Sequence, residues 1–158
     1  MKTYLDIETA FDGTITVVGL YRADRGFVQF VAAEVSDLRL WQALEGSHTI
    51  CTYNGDRFDL PVIRRRLGLD LSAHFASHDL MVDCWRLGLK GGLKRVEALL
   101  GLQRTTVGLD GLEAMRLWHR YETVGDRKAL HHLLAYNRED VLNLEVIDGL
   151  LRERKRCG

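Results

Sequence analysis

The sequence has little of what marks secreted, membrane-bound or multidomain proteins. Its three cysteines are an odd number with no two close together, which argues against a disulfide framework or a zinc-ligand pattern. No apolar run is long enough to cross a bilayer, and no charged and apolar leader opens the chain. We therefore expect a cytoplasmic protein with reduced thiols and no membrane partner. No stretch rich in proline, glycine and serine divides the sequence, which favours a single domain over residues 1–158.

Net charge is also absent, because 22 basic residues balance 22 acidic ones. The overall charge therefore gives no sign of nucleic-acid binding. An anionic partner must be held by local basic groups or by bound metal ions, since an acidic site attracts phosphate once cations fill it.

Two carboxylates, Asp6 and Glu8, are the most informative feature that is present. The flanking Tyr4, Leu5 and Ile7 predict a β-strand, in which residues two apart point to the same face. Two carboxylates side by side on a core strand repel each other and lose hydration. A cation between them relieves both penalties, so the pair predicts a divalent metal site.

The order of predicted elements indicates an α/β fold. Three strands at residues 2–8, 14–22 and 26–32 are joined by short turns, which is typical of an antiparallel meander. Two further strands are expected at 49–53 and 78–82, and Ser36 is placed as the N-cap of the first helix. The remaining helices are expected at 60–67, 93–100, 109–121 and 128–154. This order predicts a five-stranded mixed sheet flanked by helices.

Further acids occur at positions that point inward. Asp59 stands where a helix is expected to begin, where its simplest role is an N-cap.

Tyr136 and Asp140 are four residues apart and so share one helix face. That face also carries an apolar stripe, Leu133, Leu144, Ile147 and Leu151, which is expected to face the sheet. Tyr136 alone is more simply a core tyrosine, but an inward Asp140 needs a cation or dense hydrogen bonding.

Taken together, Asp6, Glu8, Asp59 and Asp140 supply four negative charges, which balance two divalent cations. Oxygen ligands favour Mg²⁺ or Mn²⁺ over zinc. Two such ions about 3.5–4 Å apart can hold the attacking and leaving oxygens of a phosphoryl displacement.

Three segments resemble the motifs of the DEDD 3′–5′ exonucleases of the ribonuclease-H-like superfamily. They are Leu5 to Thr9, Asn54 to Asp59, and Tyr136 to Asp140. The tyrosine resembles that of the DEDDy subclass, because the sister subclass has a histidine where this chain has Ala135. The stretch from Leu134 to Val141 most resembles predicted stand-alone members. The resemblance covers nearly the whole chain and implies a ribonuclease-H-like fold.

The resemblance also implies a role for each motif residue. Asp6 would bridge two metal ions, Glu8 and Asp140 would complete the first metal site, and Asp59 would serve the second. Tyr136 would orient the attacking water. Thr9, Asn54 and Phe58 would contact the substrate strand, whose single-stranded 3′ end is the favoured substrate.

Basic residues outside the motifs are weaker candidates for substrate binding. Lys90 and Lys94 lie in and after a glycine-rich stretch that is more simply a flexible turn. Arg65 lies in a run of three arginines that is more simply a solvated helix face. DNA and RNA are both open as substrates. The resemblance implies replication, repair or RNA-processing partners, and the rivals are an endonuclease of the same superfamily and a non-catalytic nucleic-acid-binding domain.

Overall fold

The computed structural model describes residues 1–157 and shows five strands in one mixed sheet. The strands are β1 (Lys2–Thr9), β2 (Ile15–Arg22), β3 (Gly26–Val31), β4 (Thr49–Thr52) and β5 (Ala76–Asp79). Their order across the sheet is β3-β2-β1-β4-β5. Short turns join β1, β2 and β3 as antiparallel neighbours, whereas β4 and β5 run parallel to β1 after helical connections. The predicted α/β fold with a five-stranded mixed sheet is confirmed.

Six α-helices flank the sheet in the part of the chain that the structure describes. They are α1 (Asp37–Leu44), α2 (Asp59–Leu67), α3 (Leu80–Arg86), α4 (Leu93–Leu99), α5 (Gly111–Val124) and α6 (Arg127–Cys157). The Ser36 side chain accepts a hydrogen bond from the Arg39 amide, which confirms the predicted N-cap of α1. Within the 157 described residues, no helix combines the length and the apolar character needed to span a bilayer.

The prediction of a strand over residues 78–82 is wrong beyond Asp79. The Asp79 side chain accepts a hydrogen bond from the Met81 amide at 3.0 Å, so Asp79 ends β5 and caps α3. The apolar run after Asp79 is too short for its periodicity to separate a strand from a helix. The cap decides the conformation instead.

The two faces of β1 belong to different layers. Leu5 and Ile7 are buried in a cluster with residues of α1 and α2, whereas Tyr4 is buried with Val141, Leu144 and other residues of α6. Because successive side chains of a strand alternate between faces, Asp6 and Glu8 share the face of Tyr4. The fold therefore directs both acids towards α6.

Helix α6 lies close to the sheet at Gly19, which is paired with Asp6 in the β1–β2 ladder. Asn137 of α6 is fully buried, and its Nδ2 donates to the Asp6 side chain at 2.8 Å and to the Asp6 carbonyl at 3.2 Å. A Cβ atom on Gly19 would lie 2.3 Å from Asn137 Oδ1 and 2.9 Å from Val141 Cγ2. Glycine is therefore required here for close approach, which lets α6 hold Asp6 directly.

We predict that Gly19→Ala lowers the free energy of unfolding by about 1–3 kcal/mol, because the added methyl overpacks the contact between α6 and the sheet. The matched control is Gly149→Ala in α6, where an added Cβ meets nothing within 4 Å. That change is expected to be neutral or to stabilise by up to about 1 kcal/mol. Urea unfolding of both variants measures the difference, and equal stability of the two would contradict the close contact.

Candidate metal centre

Three elements bring the predicted catalytic side chains to one hollow of about 190 Å³. β1 supplies the acid pair, the first turn of α2 supplies one acid, and α6 supplies a tyrosine and an acid. The lining includes all five, namely Asp6, Glu8, Asp59, Tyr136 and Asp140. The convergence that the motifs require is thus present in the fold, while the role of each residue remains a prediction.

Three of the carboxylates are close enough to share one ion. Asp6, Glu8 and Asp140 each offer an oxygen within 4.8 Å of the other two. Glu8 and Asp140 are buried, and Asp6 is half-buried. Magnesium binds oxygen ligands at about 2.0–2.1 Å and keeps several waters, so oxygens at this spacing fit around a small hard cation. The residues present therefore fit a divalent metal ion.

Asp59 lines the same hollow but is not one of these three. Its Oδ1 accepts a hydrogen bond from the Ile7 amide at 3.1 Å, which ties the start of α2 to β1. The positive end of the α2 dipole also favours a carboxylate at this position. Asp59 is therefore held against β1, where its charge helps to raise the pKa of Asp6 and of Glu8.

Burial and mutual repulsion dominate the electrostatics of the hollow. Burial, and then Glu8, Asp59 and Asp140, hold the pKa of Asp6 well above its usual range. Burial and then Asp140 do the same for the pKa of Glu8, although Lys94 and Arg104 oppose the rise. Without bound cations, the acids resist carrying their full charge together. Cations or protons must offset that repulsion.

The pKa values of the remaining two acids, Asp59 and Asp140, are also raised, but to a smaller extent. Burial raises the pKa of Asp59 to about 7, against the hydrogen bond from the Ile7 amide. Burial raises the pKa of Asp140 to about 6, against the charge of Arg104 and its hydrogen bond. Burial also raises the pKa of Tyr136, with Asp140 and Glu8 adding to the effect. The tyrosine hydroxyl therefore keeps its proton and can donate a hydrogen bond.

The loop after β4 forms the rim of the hollow. Asn54 has a φ of 62°, a left-handed conformation that asparagine tolerates better than most residues, and its amide donates to Asp79 Oδ1 at 2.8 Å. Phe58 is 45% exposed although it lines the hollow. Thr9 lines the hollow too and follows a register shift in β1. All three residues predicted to contact substrate through the motifs lie at this site.

The three basic residues predicted to contact substrate lie in different places. Lys94 does not line the hollow, but its Nζ lies 4.5 Å from the centroid of the Tyr136 ring, which does. Lys90 is exposed in the segment before α4. Arg65 is exposed on α2 and lines a separate hollow with Asp56 and other residues. The charge of Lys94 opposes the rise in the pKa of Glu8, so Lys94 lies close enough to act on the acidic site. None of the three basic residues lines the hollow itself.

Sequence reasoning missed three residues that support the site. Asn137 holds Asp6, and Arg104 forms an ion pair with Asp140. Glu97 is fully buried and holds Arg104 at 2.8 Å. A signal for Glu97 existed, because it falls on the apolar stripe of α4 between buried Val96 and half-buried Leu100. Arg104 lies in an irregular segment, where no periodicity indicates its direction.

We predict that Asp59→Asn stabilises the metal-free protein by an amount that grows from pH 4 to pH 8. Asp59 has a pKa of about 7 in the folded protein against about 3.9 when unfolded, so the folded state holds the proton more tightly. The contribution of Asp59 to the free energy of unfolding therefore falls as the pH rises through this window. Asparagine avoids that loss and still accepts the Ile7 hydrogen bond.

Calorimetric unfolding in the presence of a chelator measures this trend, with about 2–4 °C expected for each kcal/mol in a domain of this size. Asp56→Asn is the control, because Asp56 is exposed and does not line the acidic hollow. A difference in unfolding temperature between Asp59→Asn and wild type that is constant from pH 4 to pH 8 would contradict the prediction.

Comparison with known proteins agrees with this fold. Residues 3–152 match the family described as the RNase_H superfamily, while a comparison with curated proteins finds no match. Among solved structures, the fold is similar to a family B DNA polymerase from the hyperthermophilic archaeon Pyrobaculum calidifontis, with a TM-score of 0.63 and 17% identity. The likeness covers 90% of this chain but 24% of the polymerase chain. The family match spans nearly the whole sequence, and the chain therefore belongs to the RNase_H superfamily.

Proposed function

We propose that this protein is a metal-dependent 3′–5′ exonuclease that hydrolyses phosphodiester bonds at single-stranded nucleic acid ends. The observation that carries the proposal is the meeting of four carboxylates and Tyr136 in one hollow. Membership of the RNase_H superfamily supports a nuclease that uses divalent cations. The tyrosine four residues before Asp140 supports the DEDDy subclass and, with it, exonuclease activity from the 3′ end.

The side chains divide between two metal sites. Asp6, Glu8 and Asp140 would hold one ion, since their oxygens lie within 4.8 Å of one another. Asp6 and Asp59 would hold a second ion. When bound, Mg²⁺ or Mn²⁺ supplies an acidified water and neutralises charge on the phosphate.

Tyr136, Phe58, Asn54 and Thr9 of the hollow, together with the nearby Lys94, act on the substrate and the attacking water. The Tyr136 hydroxyl keeps its proton and orients the water by hydrogen bonding. Lys94 carries a positive charge beside the Tyr136 ring and attracts the scissile phosphate. Phe58 presents an exposed ring at the rim, on which a terminal base can stack. Asn54 and the Thr9 backbone amide position the 3′-terminal sugar.

We predict that the wild-type protein with Mg²⁺ or Mn²⁺ shortens a 5′-labelled single-stranded oligonucleotide from its 3′ end. A circular single strand should stay intact, and DNA and RNA oligonucleotides tested in parallel identify the preferred substrate. Asp6→Asn should abolish cleavage without unfolding the protein, because it removes a metal ligand and also a repelled charge. Asp56→Asn, outside the acidic hollow, should cleave normally.

Other products of this assay correspond to other functions. Cleavage of the circular strand would instead indicate an endonuclease. Binding of the oligonucleotide with no degradation by a folded, metal-loaded protein would indicate a non-catalytic binding domain. Either result would contradict the proposed exonuclease.

We predict that Tyr136→Phe lowers kcat by about 100-fold, because the attacking water loses a hydrogen bond that orients it. The affinity for Mn²⁺ should not change, since the four carboxylates remain. Tyr121→Phe is the matched control, because Tyr121 packs against Trp118 and does not line the hollow. Single-turnover assays and Mn²⁺ titrations test this, and an unchanged kcat in Tyr136→Phe would exclude the assigned role.

A further inference from the structure

Arg104, in the segment between α4 and α5, contacts two of the expected catalytic residues although it belongs to none of the three motifs. Its Nη2 donates to Asp140 Oδ1 in an ion pair. Its Nη1 donates to both carboxylate oxygens of Glu97 at 2.8 Å. Its Cζ also lies 5.3 Å from the centroid of the Tyr136 ring, within cation–π range. One guanidinium therefore joins Asp140 and Tyr136 to a third group.

That third group, Glu97, is a fixed support. Glu97 is fully buried on α4, and its Oε1 also accepts a hydrogen bond from Asn143 Nδ2 of α6 at 2.8 Å. A buried ion pair is a weak source of stability, because desolvation offsets its attraction. The Arg104 side chain is itself only 10% exposed. A contribution to folding stability therefore does not explain why these charges are buried together.

The backbone near Arg104 is tied to α6 as well. Glu139, next to Asp140 in the chain, accepts hydrogen bonds from the amides of Thr105 at 2.6 Å and Thr106 at 3.0 Å. The Arg104 side chain is thus held at its far end by Glu97, and the following backbone is held by Glu139. Such a constrained guanidinium leaves Asp140 little freedom to turn.

We propose that Arg104 is a positioning residue for the metal centre. It holds Oδ1 of Asp140 so that the remaining oxygen is presented to a divalent cation beside Glu8 and Asp6, and it does so as a planar fork supported by Glu97. This inference rests on the proposed metal-dependent function. Groups that orient a metal ligand in this way typically contribute about 10–100-fold to metal affinity.

A simpler role for Arg104 predicts the opposite change in metal affinity. If Arg104 acted only as a positive charge near the acids, its removal would strengthen their attraction for cations and tighten metal binding. If it orients Asp140, its removal weakens metal binding in spite of the more negative field. The conservative change to lysine separates the two roles, because an ammonium keeps the charge but lacks the fork that spans two carboxylates.

The test is calorimetric titration of the full chain with Mn²⁺ alone, without nucleic acid. We expect Arg104→Lys and Arg104→Gln each to bind Mn²⁺ about 10–100-fold more weakly than wild type. Arg95→Gln, which removes an exposed arginine of the same region, should bind like wild type. Wild-type affinity in Arg104→Lys, or tighter binding in Arg104→Gln, would overturn the positioning role.

Arg104→Gln could bind Mn²⁺ weakly because it unfolds, since Glu97 would stay buried without its partner. A second variant separates this effect from the loss of positioning. Glu97→Gln/Arg104→Gln removes the unpaired charge at position 97, and the amide oxygen introduced in place of the carboxylate can still accept from Asn143. Circular dichroism should show this double variant folded, and it should bind Mn²⁺ as weakly as Arg104→Gln. Wild-type affinity in the double variant would overturn the inference alone. If wild type itself bound no Mn²⁺, the proposed metal centre and this inference would both be overturned.

Discussion

Repulsion among four carboxylates in one buried hollow is the constraint around which this molecule is organised. Burial is the largest cause of the raised pKa of each of the four acids, and the charges of neighbouring acids raise the pKa of Asp6 and Glu8 further. Such a cluster opposes folding unless protons or cations occupy it. The surrounding structure holds Asp6, Asp59 and Asp140 through hydrogen bonds and an ion pair from neighbouring residues, and it leaves the space between the acids for positive charge.

Three of the four acids are held by different parts of the chain. Asn137 donates to Asp6, the Ile7 amide donates to Asp59, and Arg104 pairs with Asp140. These supports come from α6, β1 and the segment before α5, so the site depends on elements that are far apart in the chain. The proposed binding of small cations needs this rigidity, because ligand positions decide both affinity and geometry.

Helix α6 links the fold to the chemistry. It carries Tyr136 and Asp140 on the face that packs on the sheet, and it can lie close to β1 and β2 because Gly19 has no side chain. The same helix contributes Asn143 to the support of Glu97. A shift of α6 relative to the sheet would therefore move Tyr136, Asn137 and Asp140 together.

Local patterns in the sequence determined much of this structure. The alternation around Asp6 and Glu8 placed both acids on one face of β1, and the spacing of Tyr136 and Asp140 placed both on one face of α6. Both follow from the fixed periods of strands and helices. The cap at Ser36 likewise marked the start of α1, because capping involves only neighbouring residues.

The tertiary structure decided what no local period encodes. It ended β5 at Asp79, required glycine opposite Asn137, and brought Arg104 from an irregular segment onto Asp140. These features depend on distances between residues remote in the chain, which only the packing of α6 and the loops on the sheet establishes. The types of residue at the site were thus readable from the sequence, whereas the side chains that hold them in place were set by the fold.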